Sequence, residues 1–180
     1  MKKALLLASL LYFSSCSKPT SFENHLIRID DLKGFQLDSM DTGGSFVQLN
    51  GKQVDEKEGV NYLIFKKESL QRNNYLRIHP LQLNGIPMEQ YLHAHLEQLR
   101  DLIPPFTIQQ EIRDTIIQNK TGVFYSILIS QTETPIETSY FLLKSDSGLS
   151  YEITSNLVKN DVYDQTKKAH NKILSTLLLK

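Results

Sequence analysis

Three residues have types and spacings that could do chemistry: a lone cysteine and a pair of histidines. Cys16 is the only cysteine among the 180 residues. A single thiol cannot close an internal disulfide, and an exposed one is a liability in an oxidising compartment. What precedes it narrows its use. Lys2 and Lys3 form a positive start, Ala4 to Phe13 form an apolar run, and small Ser14 and Ser15 lead into the cysteine. A run of about ten apolar residues is too short to cross a ~30 Å hydrocarbon core, so it reads as a removable export signal. His93-Ala94-His95 is the one spacing that suggests metal. Two positions apart on a strand, the imidazoles would point the same way. On the helix expected here they stand ~200° apart, which separates them. His95 joins the apolar stripe of Tyr91, Leu92 and Leu99, and His93 falls among Glu89, Glu97 and Arg100. The pair is therefore not expected to chelate; His95 is expected as a hydrogen-bonded core histidine that brings a titratable group to a helix–sheet seam.

The stretch ending in Phe13-Ser14-Ser15-Cys16 resembles a bacterial lipoprotein signal peptide with its lipobox, with Phe13 where an aliphatic residue is usual. The resemblance implies cleavage before Cys16, a diacylglyceryl thioether on its sulfur and acylation of the new amine, palmitate being a typical chain. Lipid attachment at Cys16 is thus the site expectation. Two other outcomes stay open: cutting by an ordinary signal peptidase near Ser15, or an uncut segment. Several acyl chains on one residue would hold firmly, since each buried methylene contributes ~0.8 kcal/mol and a single chain binds only reversibly.

Elsewhere the scan for chemistry finds turns and core positions. Asp41-Thr42-Gly43 resembles the active-site triplet of aspartic proteases, but that chemistry needs two carboxylates sharing a proton. The chain carries one copy, and Gly43-Gly44 explains it as a turn. His25, His79 and His170 are scattered. No phosphate-cradling loop, nucleophile elbow or zinc-protease helix is present. Catalytic, cofactor-binding and metal-ligating residues are accordingly expected to be none. Lys and Arg number 20 against 20 Asp and Glu. Loss of Lys2 and Lys3 with the signal leaves 18 basic residues, a net charge near −2. That balance excludes the basic footprint of a nucleic-acid binder.

The elements that must carry these residues are uneven in clarity. Before residue 80 the signals are short: extended candidates around Leu26 to Ile29 and Phe35 to Leu37, a hairpin over Phe46 to Leu49 turning at Asn50-Gly51, a charged loop from Asp55 to Gly59, and strands over Asn61 to Lys66 and Tyr75 to His79. From Pro87 onward the pattern is strong. Met88, Tyr91, Leu92, Leu96, Leu99, Leu102 and Ile103 follow helical spacing, and Pro104-Pro105 ends it. Four strands follow. Phe106, Ile108, Ile112 and Ile116 share one face of the first, opposite Gln109, Glu111 and Arg113. Val123 to Ile129 is apolar on both faces, Thr138 to Lys144 comes next, and Leu149, Tyr151 and Ile153 close the meander. Val162, Thr166, Ala169, Ile173 and Leu177 stripe a terminal helix over Asp161 to Leu178, capped by Asn160 or Asp161.

An antiparallel meander with apolar faces needs the two helices as cover. The fold class is therefore α+β. The element order, with Gly122-Val123-Phe124-Tyr125 in the central strand and Lys172-Ile173-Leu174 near the end, resembles the PsbP-like superfamily over roughly Asn61 to Lys180, which includes DcrB-type envelope lipoproteins. The resemblance implies an α/β/α sandwich and carries no functional residue. Residues 1–15 are expected as signal peptide, 16–22 as a lipidated tether and 23–180 as one PsbP-like domain. The function expected is a non-enzymatic binding or assembly factor of the bacterial envelope, held at a membrane through Cys16, facing the periplasm and meeting an envelope protein, not nucleic acid. The alternative is a small-ligand or lipid binder with a cavity between sheet and helices, lined by Phe124, Tyr140 or Leu96.

Overall fold

The computed structural model describes residues 21–41, 46–49, 52–56, 60–66 and 73–180; for 40, 41, 46–49, 52–56 and 60 it describes the backbone alone. Cys16 with its lipobox, Thr42, Gly43, Gly44, Asn50 and Gly51 lie outside the described residues.

Among the described residues, these elements follow one another: β1 (Phe22–Glu23), β2 (Ile27–Ile29), β3 (Gln36–Asp41), β4 (Phe46–Leu49), β5 (Lys52–Glu56), β6 (Val60–Phe65), β7 (Tyr75–Gln82), α1 (Met88–Leu102), β8 (Phe106–Ile117), β9 (Lys120–Ile129), β10 (Ile136–Lys144), β11 (Ser150–Val158), α2 (Tyr163–Thr176) and β12 (Leu177–Leu179). The main sheet runs β3-β6-β7-β11-β10-β9-β8, with the β4–β5 hairpin joined to it through β5 and β7. Every strand pair is antiparallel. The expected α+β class, an antiparallel meander covered by two helices, is the fold observed.

Alternation decides which helix covers which face. On β7 and β11, Leu76, Ile78, Tyr151 and Ile153 pack with Ile173 and Leu174 of α2 and with Ile27 and Ile29 of β2. The opposite face brings Leu81, Tyr125, Ile127, Tyr140 and Leu142 against Leu92 and Leu96 of α1. Helix α1 leaves the end of β7 and returns the chain to the start of β8, so it crosses three strands diagonally. That path leaves the far end of β8 uncovered, and Ile116 is 70 % exposed instead of buried as its alternation suggests. Leu102, at the last turn of α1, is also off the apolar stripe at 77 % exposed.

Other boundaries differ from expectation for local reasons. Asp55 and Glu56 belong to β5, because they pair with Gln82 and Leu81. Strand β7 continues past His79 through Pro80, which lies opposite Tyr151 of β11 and, on the other side, falls between the stretch paired with β6 and the stretch paired with β5. The last helix stops at Thr176. Leu177–Leu179 instead pair with β2 in a three-stranded sheet, β1-β2-β12. The start of α2 has Val162 at its cap without a side-chain bond; Asn160 contributes its Oδ1 to the Val162 N–H, 3.2 Å, and its carbonyl to the Tyr163 N–H, 3.1 Å. Gly122 is required by a close approach: a Cβ there would meet the Leu142 carbonyl oxygen at 2.2 Å.

Candidate functional site

Glu152 sits in the middle of β11, on the face under α1, and is 2 % exposed. A carboxylate at such a depth needs compensation from several directions. Strand β7 supplies Arg77, whose Nη2 donates to Oε1 at 2.5 Å and lies 3.3 Å from Thr154 Oγ1. Helix α1 supplies Tyr91, whose hydroxyl donates to Oε2 at 2.9 Å. One turn further on, His95 places Nδ1 3.8 Å from the same oxygen. That ring is held edge-on by Tyr140, centroids 4.9 Å apart, and its Nδ1 lies 3.3 Å from the Tyr125 hydroxyl. Tyr125 and Tyr140 stack at 4.9 Å. Two consecutive turns of α1 thus reach one carboxylate on the sheet.

The electrostatics follow from burial and charge. Burial alone would raise the Glu152 pKa, but His95, Arg77 and His79 nearby, with the Tyr91 hydrogen bond, hold it below the ordinary carboxylate value. Burial pushes His95 down, with Arg77 adding to the effect and Glu152 opposing it. Burial, then the Glu152 charge, pushes the Tyr91 phenol well up; burial likewise raises Tyr125 and Tyr140. At neutral pH the cluster is an ionised carboxylate, a guanidinium and a neutral imidazole. His95 does stand beside a carboxylate, as in hydrolytic sites, but the hydroxyls beside it are phenols driven away from ionisation. The arrangement can clamp a helix; it offers no activated nucleophile.

Behind the sheet is a second polar pair. Ser155 Oγ lies 2.9 Å from His170 Nδ1, joining β11 to α2, and His170 is 1 % exposed. Burial, helped by Lys66, pushes the His170 pKa down to about 4. Its Nε2 is buried without a hydrogen-bond partner among the described residues. Near the start of α2, Glu137 of β10 accepts from Tyr163 at 2.6 Å and Lys167 at 2.7 Å, with Lys159 at 3.4 Å. Lys167 and its neighbour Lys159 also lie over the Tyr163 ring.

The expected separation of the two histidines holds. His95 points into the seam, and His93 is exposed beside Glu89, 3.8 Å away. No three His, Cys, Asp or Glu gather to hold a metal ion among the described residues. Phe124 lies on the sheet face opposite Tyr140 and Leu96, stacked on Phe141 at 4.8 Å, so those three residues cannot line one cavity. Glu152 and Ser155 are the functional-type residues that the sequence reading missed. The signal for Glu152 was indirect: two polar groups, Tyr91 and His95, on the apolar stripe of α1 require a polar partner below them.

No protein-family model matches the chain, and no curated protein matches it. Solved structures do. A Pseudomonas aeruginosa protein of unknown function, PA94, is 12 % identical over 76 % of this chain and 97 % of its own, with a TM-score of 0.50. LpqN of Mycobacterium tuberculosis, described as involved in cell envelope biogenesis, is 11 % identical over 81 % and 91 %, with a TM-score of 0.48. PsbP (CyanoP) of Synechocystis is 12 % identical over 82 % and 93 %, with a TM-score of 0.45. At such identities the likeness concerns the fold alone.

Proposed function

We propose that this protein is a non-enzymatic binding or assembly factor of the bacterial envelope, held at a membrane by lipid on Cys16 and acting on a protein partner through its surface. The observation that supports a surface role is the state of the Glu152 cluster. Its carboxylate, guanidinium and phenols engage one another beneath α1, so they serve as a joint and leave recognition to the exterior. No helix among the described residues is long and apolar enough to cross a membrane, which fits attachment by lipid. The groove beside the end of α1 is the favoured contact. A hollow of about 540 Å³ lies there, lined by Arg100, Pro105, Phe106, Thr107 and Ile108. Exposed Leu102 adjoins it in sequence and adds bare apolar surface beside Arg100, the residue type that interface anchors favour.

Photo-crosslinking residues at Arg100 and Leu102 in intact cells test this reading, together with mass spectrometry of the mature N-terminus. One envelope protein captured from both positions, and a lipidated Cys16, are expected. An unmodified N-terminus removes the membrane part, and no capture from either position removes the partner.

A second reading has its own observation. A hollow of about 350 Å³ beside β3 is walled by Phe22, Leu32, Phe35 and Leu37 with Ser21, Gln36 and Ser39 around them, a size and polarity that suit a small apolar ligand. Native mass spectrometry of protein purified from its own membranes decides it: a retained small molecule, lost in Phe35→Asp, supports it.

A further inference from the structure

The hollow of about 350 Å³ beside β3 opens above the core that α2 covers, and its walls are built in advance. Phe22 is fixed by the pairing of β1 with Ile29 and tilts against the Tyr62 ring, centroids 5.8 Å apart. Phe35 tilts against the His170 ring at 6.3 Å, and its N–H donates to the Leu32 carbonyl oxygen at 2.8 Å across a turn. Gly34 makes that turn, with a φ of 81° that other residues avoid. Leu37 completes the apolar wall, while Ser21, Gln36 and Ser39 are polar and uncharged. None of the described lining residues carries a charge. A free fatty acid or phospholipid brings a charged head that needs a partner once desolvated, and these residues do not supply one. A hydrocarbon chain whose head is tied elsewhere suits the hollow better.

Where the polypeptide leaves the hollow decides which hydrocarbon that is. Ser21 lines it, and Cys16 precedes Ser21 by five residues. Five residues fully extended span at most ~18 Å. An acyl chain reaches across about half of the ~30 Å bilayer core, a further ~15 Å, so a chain on Cys16 can double back to Ser21. So short a connection presents the chain to the hollow at an effective concentration of order millimolar. We infer that this hollow receives one acyl chain of the lipid on Cys16, an inference that rests on the lipidation proposed above and gives the hollow an occupant within the molecule. Moving a chain from bilayer to hollow exchanges one apolar surrounding for another, so the short tether and the preformed wall decide the balance. Away from the bilayer the balance is one-sided, since a sheltered chain avoids water along its buried length.

The test places a photo-crosslinking residue, benzoylphenylalanine, at Ser39 in the full-length protein held in its own membranes. Ser39 is exposed at the rim, so the replacement leaves the apolar wall intact. Glu23 is the control: it is nearer to Cys16 in sequence, and it alternates with Phe22 to the side away from the hollow. Mass spectrometry of the digested protein reads the mature N-terminus and what each position captures. The N-terminal lipopeptide of the same molecule is expected on position 39, at least tenfold more than on position 23. A mixture of isotope-labelled and unlabelled protein identifies lipid donated by another copy. Equal capture from the two positions, bilayer phospholipid alone on position 39, lipid from another copy, or no capture by a lipidated protein overturns the inference. An unmodified Cys16 in the same spectra overturns the lipidation itself, so the two failures are read apart.

Discussion

His170 shows how one residue can set the acid response of this fold. Its pKa of about 4 in the folded chain lies below the ordinary 6.5 that it regains on unfolding. Between those values the unfolded chain binds a proton that the folded chain does not. Its stability contribution is therefore complete above pH 6.5 and is lost as pH falls toward 4. From pH 7 to pH 5 the loss from His170 alone is about 2 kcal/mol. His95, depressed by burial, adds in the same direction. Glu152 and Glu137, held below the ordinary carboxylate range, act lower on the scale, so they do not obscure this window. Urea unfolding at pH 7 and pH 5 measures the slope. His170→Gln is expected to flatten it by more than half, and an unchanged slope would assign the acid response elsewhere.

At the scale of elements, α1 is fixed to the sheet by Leu92 and Leu96 and by one carboxylate that two of its turns reach. Glu152→Gln keeps the size and removes the charge. Breaking a buried pair from one side costs about 3–5 kcal/mol. Arg77 is 35 % exposed at its side chain and regains water, which lowers the expectation to about 2–3 kcal/mol. The loss should be local: amides of α1 should exchange faster than those of α2, as hydrogen exchange would read. Equal acceleration of both helices would contradict the joint. This element was half legible beforehand. The helical spacing of Met88 to Leu99 and the stop at Pro104-Pro105 are local signals, as are the period-two runs of β8 to β11. Glu152 was legible only indirectly, through Tyr91 and His95 on the α1 stripe, because alternation with Tyr151 and Ile153 assigns it to a wet face. Only the crossing of α1 makes that face dry, and a crossing is not written in one strand. The first half was obscure for the same reason. Strands β1, β2 and β3 are short and weakly patterned because their cover comes from residues far along the chain.

The whole molecule is closed by such distant contacts. Leu177 faces Ile29 and Leu179 faces Ile27 across the small sheet. Around that seam, the single proton of the Tyr151 hydroxyl is shared between the carbonyl oxygens of Leu26 at 2.9 Å and Lys180 at 3.0 Å, and the Lys180 ammonium reaches Glu23 at 2.7 Å. Removing Leu177–Lys180 is expected to release β1 and β2 while leaving β7 to β11 paired. Limited proteolysis should then cut first between Asn24 and Phe35, and protection of that stretch would show that β2 holds without β12. The clasp also sets a schedule. Strand β2 is synthesised early and pairs at once only with the two-residue β1; its second partner waits until residues 177–179 have arrived, so that contact is strongly non-local and slow to form. Until residues 177–179 are in place the leading strands stay unlocked, with Ile27 and Ile29 bare, and their arrival turns the key.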